Sequence, residues 1–210
     1  MSWKGRSPPT EAGNRQQDPN PARKRDVEES ILAARATAGD LEAFGRLVER
    51  YTPQARRVAR AVLADPDDGD DAAQDAFLSA LRHLGRYDPS RPFGPWLMRI
   101  VANAAADRRR RRKVRAADEL SEATSGGGPG PDVETDRWAF LAAFRRALAL
   151  LPERQRLAVT LFDVEGYSHA QIAEILDIPQ GTVRSDVFHA RRRLRTALVT
   201  WQHHWKEEVV

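Results

Sequence analysis

The run Ser125-Gly126-Gly127-Gly128-Pro129-Gly130-Pro131 near the middle of the chain decides its organisation. Glycine gives up the most backbone freedom on ordering, and proline has no N–H to donate, so neither helix nor strand crosses such a stretch. It reads as a flexible linker. On both sides of it apolar residues recur at steps of three and four. Leu41, Phe44, Leu47, Val48 and Tyr51 form one stripe before it, and Leu141, Phe144, Leu148 and Leu151 another after it. That spacing builds amphipathic helices. No alternating pattern is long enough for a strand. The fold class expected is all-α: two small helical domains joined by a flexible Gly/Pro linker, the C-terminal one containing a helix-turn-helix.

The boundaries follow from composition. Residues 1–27 are polar, carry Pro8, Pro9, Pro19 and Pro21, and read as a disordered tail. Residues 28–112 form the first domain, 113–137 the linker, 138–200 the second domain and 201–210 a C-terminal tail. In the first domain Asp40 is an N-cap candidate, and Pro53 suits the first turn of a new helix. The acidic run Asp65 to Asp70 is expected to end that helix. A third helix buries Ala73, Ala76, Phe77, Ala80, Leu81 and Leu84, with Gly85 as its C′ residue. A fourth begins near Gly94 or Pro95. In the second domain Pro152 restarts the chain, and Leu157, Leu161 and Val164 share a helix stopped by Gly166.

Composition narrows the function classes. The 210 residues carry 34 Lys+Arg against 30 Asp+Glu, a formal net charge of +4. Only Lys4, Lys24, Lys113 and Lys206 are lysine; the remaining cations are arginine, which bonds phosphate and guanine bidentately. With no cysteine, disulfides, thiolate metal sites and cysteine nucleophiles are excluded. No apolar run is long enough to cross a membrane, and the N-terminus has no signal-peptide core, so a cytoplasmic location is expected. No metal or cofactor is expected either.

Three constellations carry chemistry. In the first, Ser168-His169-Ala170-Gln171 is a capping box that opens a short helix with Ile172, Ala173 and Leu176 inward. Asp177-Ile178-Pro179 leaves room only for a tight turn. A basic helix follows with Val183, Val187, Ala190 and Leu194 inward. This is a helix-turn-helix, whose second helix enters the major groove. Its outward residues are Thr182, Arg184, Ser185, Phe188 and His189, with Arg191 farther along where phosphate contacts are natural. An ordinary helical hairpin with a solvated basic face is the plainer alternative.

The second is the helix from Trp96 to about Lys113. Trp96, Leu97, Ile100, Val101 and Ala104 form its buried side, while Asn103, Asp107 and Arg110 or Arg111 line a separate polar stripe. From Trp96 to Asp107 is about 16 Å at roughly 1.5 Å per residue. Such a stripe, ending in Arg108 to Lys113, suits a nucleic-acid backbone. Tyr87, Phe93 and Trp96 cluster just before it and could stack unpaired bases or simply cap the core. The third is Asp71-Ala72-Ala73-Gln74-Asp75-Ala76-Phe77-Leu78. Its polar residues face away from the core stripe, which fits either a protein partner or a plain solvated face.

Taken together, these segments resemble one family. The run Asp71 to Leu78 is similar to the core-polymerase-binding helix of bacterial sigma-70 factors. Tyr87-Asp-Pro-Ser-Arg-Pro-Phe-Gly-Pro-Trp-Leu-Met-Arg-Ile-Val-Ala-Asn-Ala-Ala-Ala-Asp-Arg-Arg-Arg resembles the segment that melts and reads the −10 element in the extracytoplasmic-function (ECF) group. Leu151-Pro-Glu-Arg-Gln-Arg, Glu165-Gly-Tyr-Ser-His-Ala-Gln-Ile-Ala-Glu-Ile-Leu and Gly181-Thr-Val-Arg-Ser resemble its −35-reading domain. The resemblance spans roughly residues 28–112 and 138–198, in order.

The resemblance implies a sigma factor that directs promoter-specific initiation and performs no catalysis itself. The first domain would dock on the clamp of core RNA polymerase through Asp71, Gln74, Asp75 and Leu78. The loop from about Asp88 to Pro95 would capture a flipped base. Phe93, Trp96, Asn103, Asp107, Arg110 and Arg111 would line the −10 DNA. The second domain would sit on the polymerase flap and place Thr182, Arg184, Ser185, Phe188, His189 and Arg191 over the −35 element. An anti-sigma factor is an implied partner, and membrane insertion is not. Two departures stand out. Asp186 occupies a position where the family usually has arginine or lysine, and His189 one where arginine is frequent. Either the −35 sequence is unusual or Asp186 pairs with a neighbouring arginine.

Two rival readings compete. A stand-alone helix-turn-helix regulator would explain residues 138–200 but would need a sensor or dimerisation domain within 28–112. A recombinase would need an α/β domain, for which no strand pattern exists.

Overall fold

The computed structural model describes residues 21–63, 66–118 and 135–199. Eight helices account for most of them: α1 (Pro21–Thr37), α2 (Leu41–Leu63), α3 (Pro66–His83), α4 (Phe93–Asp118), α5 (Thr135–Ala149), α6 (Glu153–Val159), α7 (His169–Leu176) and α8 (Gln180–Ala197). A 3₁₀ turn at Leu84–Arg86 follows α3, and α6 runs into a π-helical turn at Thr160–Val164. Among the described residues there is no strand. None of these helices is long and apolar enough to cross a membrane.

The first four helices pack with Leu47, Val58, Val62, Leu97, Met98 and Val101 fully enclosed between them. Alanine fills the closest approaches: Ala43, Ala55, Ala59, Ala72, Ala76, Ala80 and Ala105 are all inaccessible. Small side chains let three helix axes converge, which larger residues at those places would prevent. Asp40 caps α2 as its sequence position suggests, accepting the Ala43 N–H at 3.0 Å. That bond, with Arg35 beside it, holds the Asp40 carboxyl below the usual carboxylate range. Gly39, at φ +97°, ends α1 by bringing its own N–H to Ala36 O and that of Asp40 to Arg35 O.

The structure corrects several expectations. Helix α1 begins at Pro21, inside the segment read as tail, while residues 1–20 lie outside the described residues. Pro53 does not start a new helix but sits inside α2. The buried stripe continues past it through Ala55, Val58 and Val62, and burial of that face outweighs the lost hydrogen bond to Glu49. The acidic run starts α3 rather than merely ending α2: Pro66 opens the helix, and Asp67 and Asp68 lie at the positive end of its dipole. Leu81 and Val164 are exposed, not core. Gly85 lies in the 3₁₀ turn without positive φ, so it is no αL cap. Helix α4 extends to Asp118, into the expected linker. The Gly/Pro run and the 201–210 tail lie outside the described residues.

The largest difference concerns the two domains. One hydrophobic core spans both, in which Leu157, Leu161, Ile172, Ile175 and Val183 are continuous with the first domain's interior, while Ala147, Leu151, Val159, Ala190 and Leu194 form a smaller cluster within the second. Arg156 on α6 is buried between them. It donates to the carbonyls of Ala61 and Val62, in the last turn of α2, and to Ala149 O at 3.0 Å. A guanidinium at a helix C-terminus satisfies carbonyls that have no partner within the helix. Burial and the nearby Arg109 both push its pKa down. Glu165 has a side chain only 2% exposed and accepts from Arg57 of α2 through both oxygens, at 2.7 and 2.8 Å. Alpha-carbon space at Gly94 is equally committed: a Cβ there would fall 2.8 Å from the Tyr167 hydroxyl and 2.9 Å from that of Tyr51.

Candidate protein- and nucleic-acid-binding faces

Helix α3 carries the first face. Ala72, Ala73, Ala76 and Ala80 turn inward, which leaves Asp71, Gln74, Asp75 and Leu78 outward. Leu78 is 50% exposed and Leu81 lies beside it. With Phe44, Val48 and Phe77 they line a groove between α2 and α3 whose rim is Asp70, Asp71 and Arg56. An apolar trough with an acidic rim suits a basic, amphipathic partner helix. The carboxylates are fixed from α4. Arg108 lies 2.7 Å from Asp71, 3.0 Å from Asp68 and 3.8 Å from Asp75. Its pKa is raised, chiefly by the bond to Asp68. Within a run of arginines nothing in the sequence distinguishes this one as the hub.

Helix α4 and the loop before it carry the second. The loop is braced from within: the Tyr87 hydroxyl donates to Arg91 O, and Asp88 accepts the Ser90 N–H at 2.9 Å. Burial pushes the Tyr87 phenol up to about 12, with Glu29 adding to it. Asn103, Asp107, Arg110 and Arg111 are exposed along α4 as expected. Asp107 and Arg110 pair at 3.2 Å. Trp96 is half-buried, at the head of a groove of about 640 Å³ that runs past Arg99 and Asn103 to Arg111, with Arg82 and Arg86 opposite. Its lining sets five arginines against Asp75 and Asp107, a net positive charge that suits a phosphate backbone. Phe93 corrects the sequence reading: at 1% exposure it belongs to the core. Its ring lies 5.7 Å from Tyr51, 5.3 Å from Tyr87 and 5.4 Å from Trp96, so no face is left for a base.

The third face is the helix-turn-helix. The capping box is complete: Gln171 N–H to Ser168 Oγ at 3.2 Å, and Ser168 N–H to Gln171 Oε1 at 2.9 Å. Asp177, in the left-handed region at φ 54°, ends α7 and makes the turn into α8. Val183, Val187, Ala190 and Leu194 face inward as predicted. Arg184, Ser185, Phe188, His189 and Arg191 are exposed and Thr182 half-buried. Arg191 is also bound on its own side, to Asp163 through both oxygens, with its guanidinium 5.0 Å above the Phe162 ring. Asp186 is not among the outward residues. Its side chain is 5% exposed and paired with Arg154, so the second of the two sequence alternatives holds. Among the described residues no cluster could hold a metal ion.

Residues 47–115 match the family described as sigma-70 region 2, and residues 141–194 that described as sigma-70 region 4. The ECF RNA polymerase sigma factor SigM of Mycobacterium tuberculosis is 40% identical over 167 residues, covering 80% of this chain and 83% of SigM. The chain belongs to the sigma-70 family, in its ECF group. This sigma factor is also similar to the sigma factor CnrH of Cupriavidus metallidurans, at 33% identity over 80% of this chain and 93% of CnrH. The solved structure of CnrH in complex with the cytosolic domain of CnrY superposes with a TM-score of 0.63 at 30% identity, over 82% of this chain and 98% of that one. A second, the sigma factor RpoE bound to the anti-sigma factor NepR of Bartonella quintana, gives 0.61 at 27% identity over 74% and 96%. With a region 2 match across the first domain, neither the stand-alone regulator nor the recombinase reading is favoured.

Proposed function

We propose that this sigma factor engages polymerase and promoter through the three faces in sequence. Asp71, Gln74, Asp75 and Leu78 bind the clamp of core RNA polymerase. Trp96, Asn103, Asp107, Arg110 and Arg111 contact the −10 strand. Thr182, Arg184, Ser185, Phe188, His189 and Arg191 contact the −35 duplex. Phe93 and Asp186 are structural. The polymerase performs the chemistry, and the chain supplies sites for protein and DNA alone.

One observation carries this reading: α8 presents its polar and aromatic residues to solvent while four aliphatic and alanine side chains bury its back. A helix backed in that way, with its polar side in solvent, is what a major groove admits. The melting function fits the other basic face, where a half-buried tryptophan heads a groove lined by arginine. Sigma factors among its relatives are held by anti-sigma proteins, and the acidic and apolar trough of α2 and α3 is the face such an inhibitor would contest here.

The test is reconstituted transcription. The purified chain is added to sigma-free core polymerase with a genomic fragment library, and transcript 5′ ends are sequenced. Discrete starts that share upstream −35 and −10 elements are expected. Binding to duplex DNA with no new start sites would sink the reading.

A further inference from the structure

Helical phase divides the arginine run at the end of α4. Arg108 and Arg112 stand one turn apart and both reach the N-terminal half of α3. Arg109 turns toward α6, where it pairs with Glu153. Arg110 and Arg111 stay in solvent. The three nitrogens of Arg108 face three different carboxylates: Nε lies 3.0 Å from Asp68, Nη2 2.7 Å from Asp71 and Nη1 3.8 Å from Asp75. Positions 68, 71 and 75 form one stripe of α3, at steps of three and four. Asp68 is the inner member, its side chain 23% exposed, and its second oxygen accepts from Arg112 at 2.7 Å. Asp71 and Asp75 are the outer members, at 61% and 65%.

We infer that Arg108 is a positioning residue of the polymerase-docking face: it serves the protein partner, although it stands in a run that reads as DNA-binding. This rests on the proposed docking role of Asp71 and Asp75. Carboxylates crowded onto the first turns of one helix repel one another, and an exposed aspartate samples several rotamers. A guanidinium is a planar fork with its donors at fixed spacing, so it can set the separation of the carboxylates it faces. Asp68, tied to both Arg108 and Arg112, anchors the fork from the inner side. A basic partner helix that meets Asp71 and Asp75 already placed has less side-chain freedom to remove on binding.

The consequence lies in docking and not in the fold, because partly solvated ion pairs add little to stability. Arg108 also borders the groove along α4, but its nitrogens are turned to α3, whereas Arg111 lines the same groove from an exposed position. The run thus serves two partners: Arg108 supports the polymerase face, and Arg111 is left to the strand.

Charge and geometry make opposite predictions for the loss of Arg108. Arg108→Gln leaves the docking face more acidic by one charge, so attraction to a basic partner predicts tighter binding. Positioning predicts weaker binding. The experiment titrates core polymerase against the full chain on a promoter fragment recovered by start-site sequencing. It reads both the half-saturating core concentration and the plateau of specific transcripts. Arg108→Gln is expected to raise half-saturation about fivefold, the cost of ordering one or two freed side chains, with the plateau unchanged. Arg111→Gln should do the reverse, lowering the plateau at an unchanged half-saturation. Arg108→Lys keeps the charge on a single nitrogen and should shift half-saturation in the same direction as Arg108→Gln.

A double-mutant cycle separates positioning from general loosening of the fold. With Asp71→Asn already present, adding Arg108→Gln should cost less than it does alone, because the carboxylate it places is gone. Losses that multiply, wild-type behaviour of Arg108→Lys, or a half-saturation for Arg108→Gln that is unmoved or lower would each overturn the inference. A lowered plateau at unmoved half-saturation would do so too, by returning Arg108 to the DNA face. If Asp71→Asn weakens docking while Arg108→Gln does not, the inference alone fails. If neither Asp71→Asn nor Asp75→Lys weakens it, the docking reading beneath it fails as well.

Discussion

Arg154 of α6 holds Asp186 of α8 through both carboxylate oxygens, Nε to Oδ2 at 2.5 Å and Nη2 to Oδ1 at 3.3 Å. The pair is asymmetric. Asp186 is buried and Arg154 largely in solvent, and the arginine's pKa is raised first by this hydrogen bond and then by the charge. It follows that the acid in the recognition helix is a strut to α6 and not a reader of cytosine. Arg154→Ala leaves a buried carboxylate without its donor and should lower stability by about 2 kcal/mol. Asp186→Asn, which keeps an acceptor, should cost less and leave base preference at the −35 element unchanged. Denaturant titration and start-site sequencing measure the two effects. A change of preference at one base with unaltered stability would return Asp186 to the reading set.

Arg184 is the test of that set. It stands exposed on the N-terminal half of α8, where base edges are reached. If it makes a bidentate contact, Arg184→Ala weakens −35 recognition by about 1–3 kcal/mol and relaxes selectivity at one position. Unchanged selectivity across a −35 library would exclude it.

Asp75 tests the polymerase face. It projects from α3, and among the described residues its one close cation is Arg108 at 3.8 Å, beyond hydrogen-bonding distance. Asp75→Lys should reduce affinity for core polymerase while the melting temperature stays within about a degree or two, as for an exposed helical site. Undiminished affinity in a pull-down with purified core enzyme would remove Asp75 from the docking face.

Much of this was legible in the sequence because the signals were local. The capping box Ser168–Gln171, the Asp40 cap and the inward quartet Val183, Val187, Ala190 and Leu194 depend on spacing within one or two helices, and each stands where spacing puts it. The misreadings arose where a distant element decides. Phe93 looks like an exposed aromatic until Tyr51, far away in sequence, closes over it. Pro53 reads as a break until the core on both sides of it holds the helix straight through. Arg156 and Glu165 lie in segments whose family resemblance was visible, yet their partners are α2 carbonyls and Arg57, some hundred residues earlier. A Gly/Pro linker suggests independent domains; it carries no information on how their surfaces fit once tethered.

The Asp40 cap gives a pH dependence with a definite sign. Its carboxyl titrates below the ordinary value in the folded chain, first because it accepts the Ala43 N–H and then because Arg35 lies beside it. The stability it adds is therefore complete above its unfolded value of about 3.9 and is lost as pH falls through the lower, folded value. Asp40→Asn keeps the acceptor but not the charge. The wild type should be the more stable of the two near neutrality, with the gap closing as the solution is acidified toward pH 3. A gap independent of pH in paired thermal melts would show that the charge contributes nothing.

The shared core makes a last prediction about cooperativity. Two domains joined only by a tether unfold separately, whereas domains that bury Leu157 and Leu161 in a common interior lose that burial together. Burying one leucine side chain is worth about 1.5–3 kcal/mol, several times an exposed ion pair, so the interior contacts govern the coupling. Wild type should unfold in one calorimetric transition whose van't Hoff and calorimetric enthalpies agree. Arg156 is the residue through which this coupling is most exposed to mutation, because its guanidinium bonds Ala61 and Val62 on one domain and Ala149 on the other. Arg156→Ala withdraws those donors and leaves carbonyls of both domains without them. The single transition should split into two, the second domain melting first because it has the smaller interior of its own. A single, merely shifted transition in this variant would mean that the apolar contacts couple the domains without Arg156.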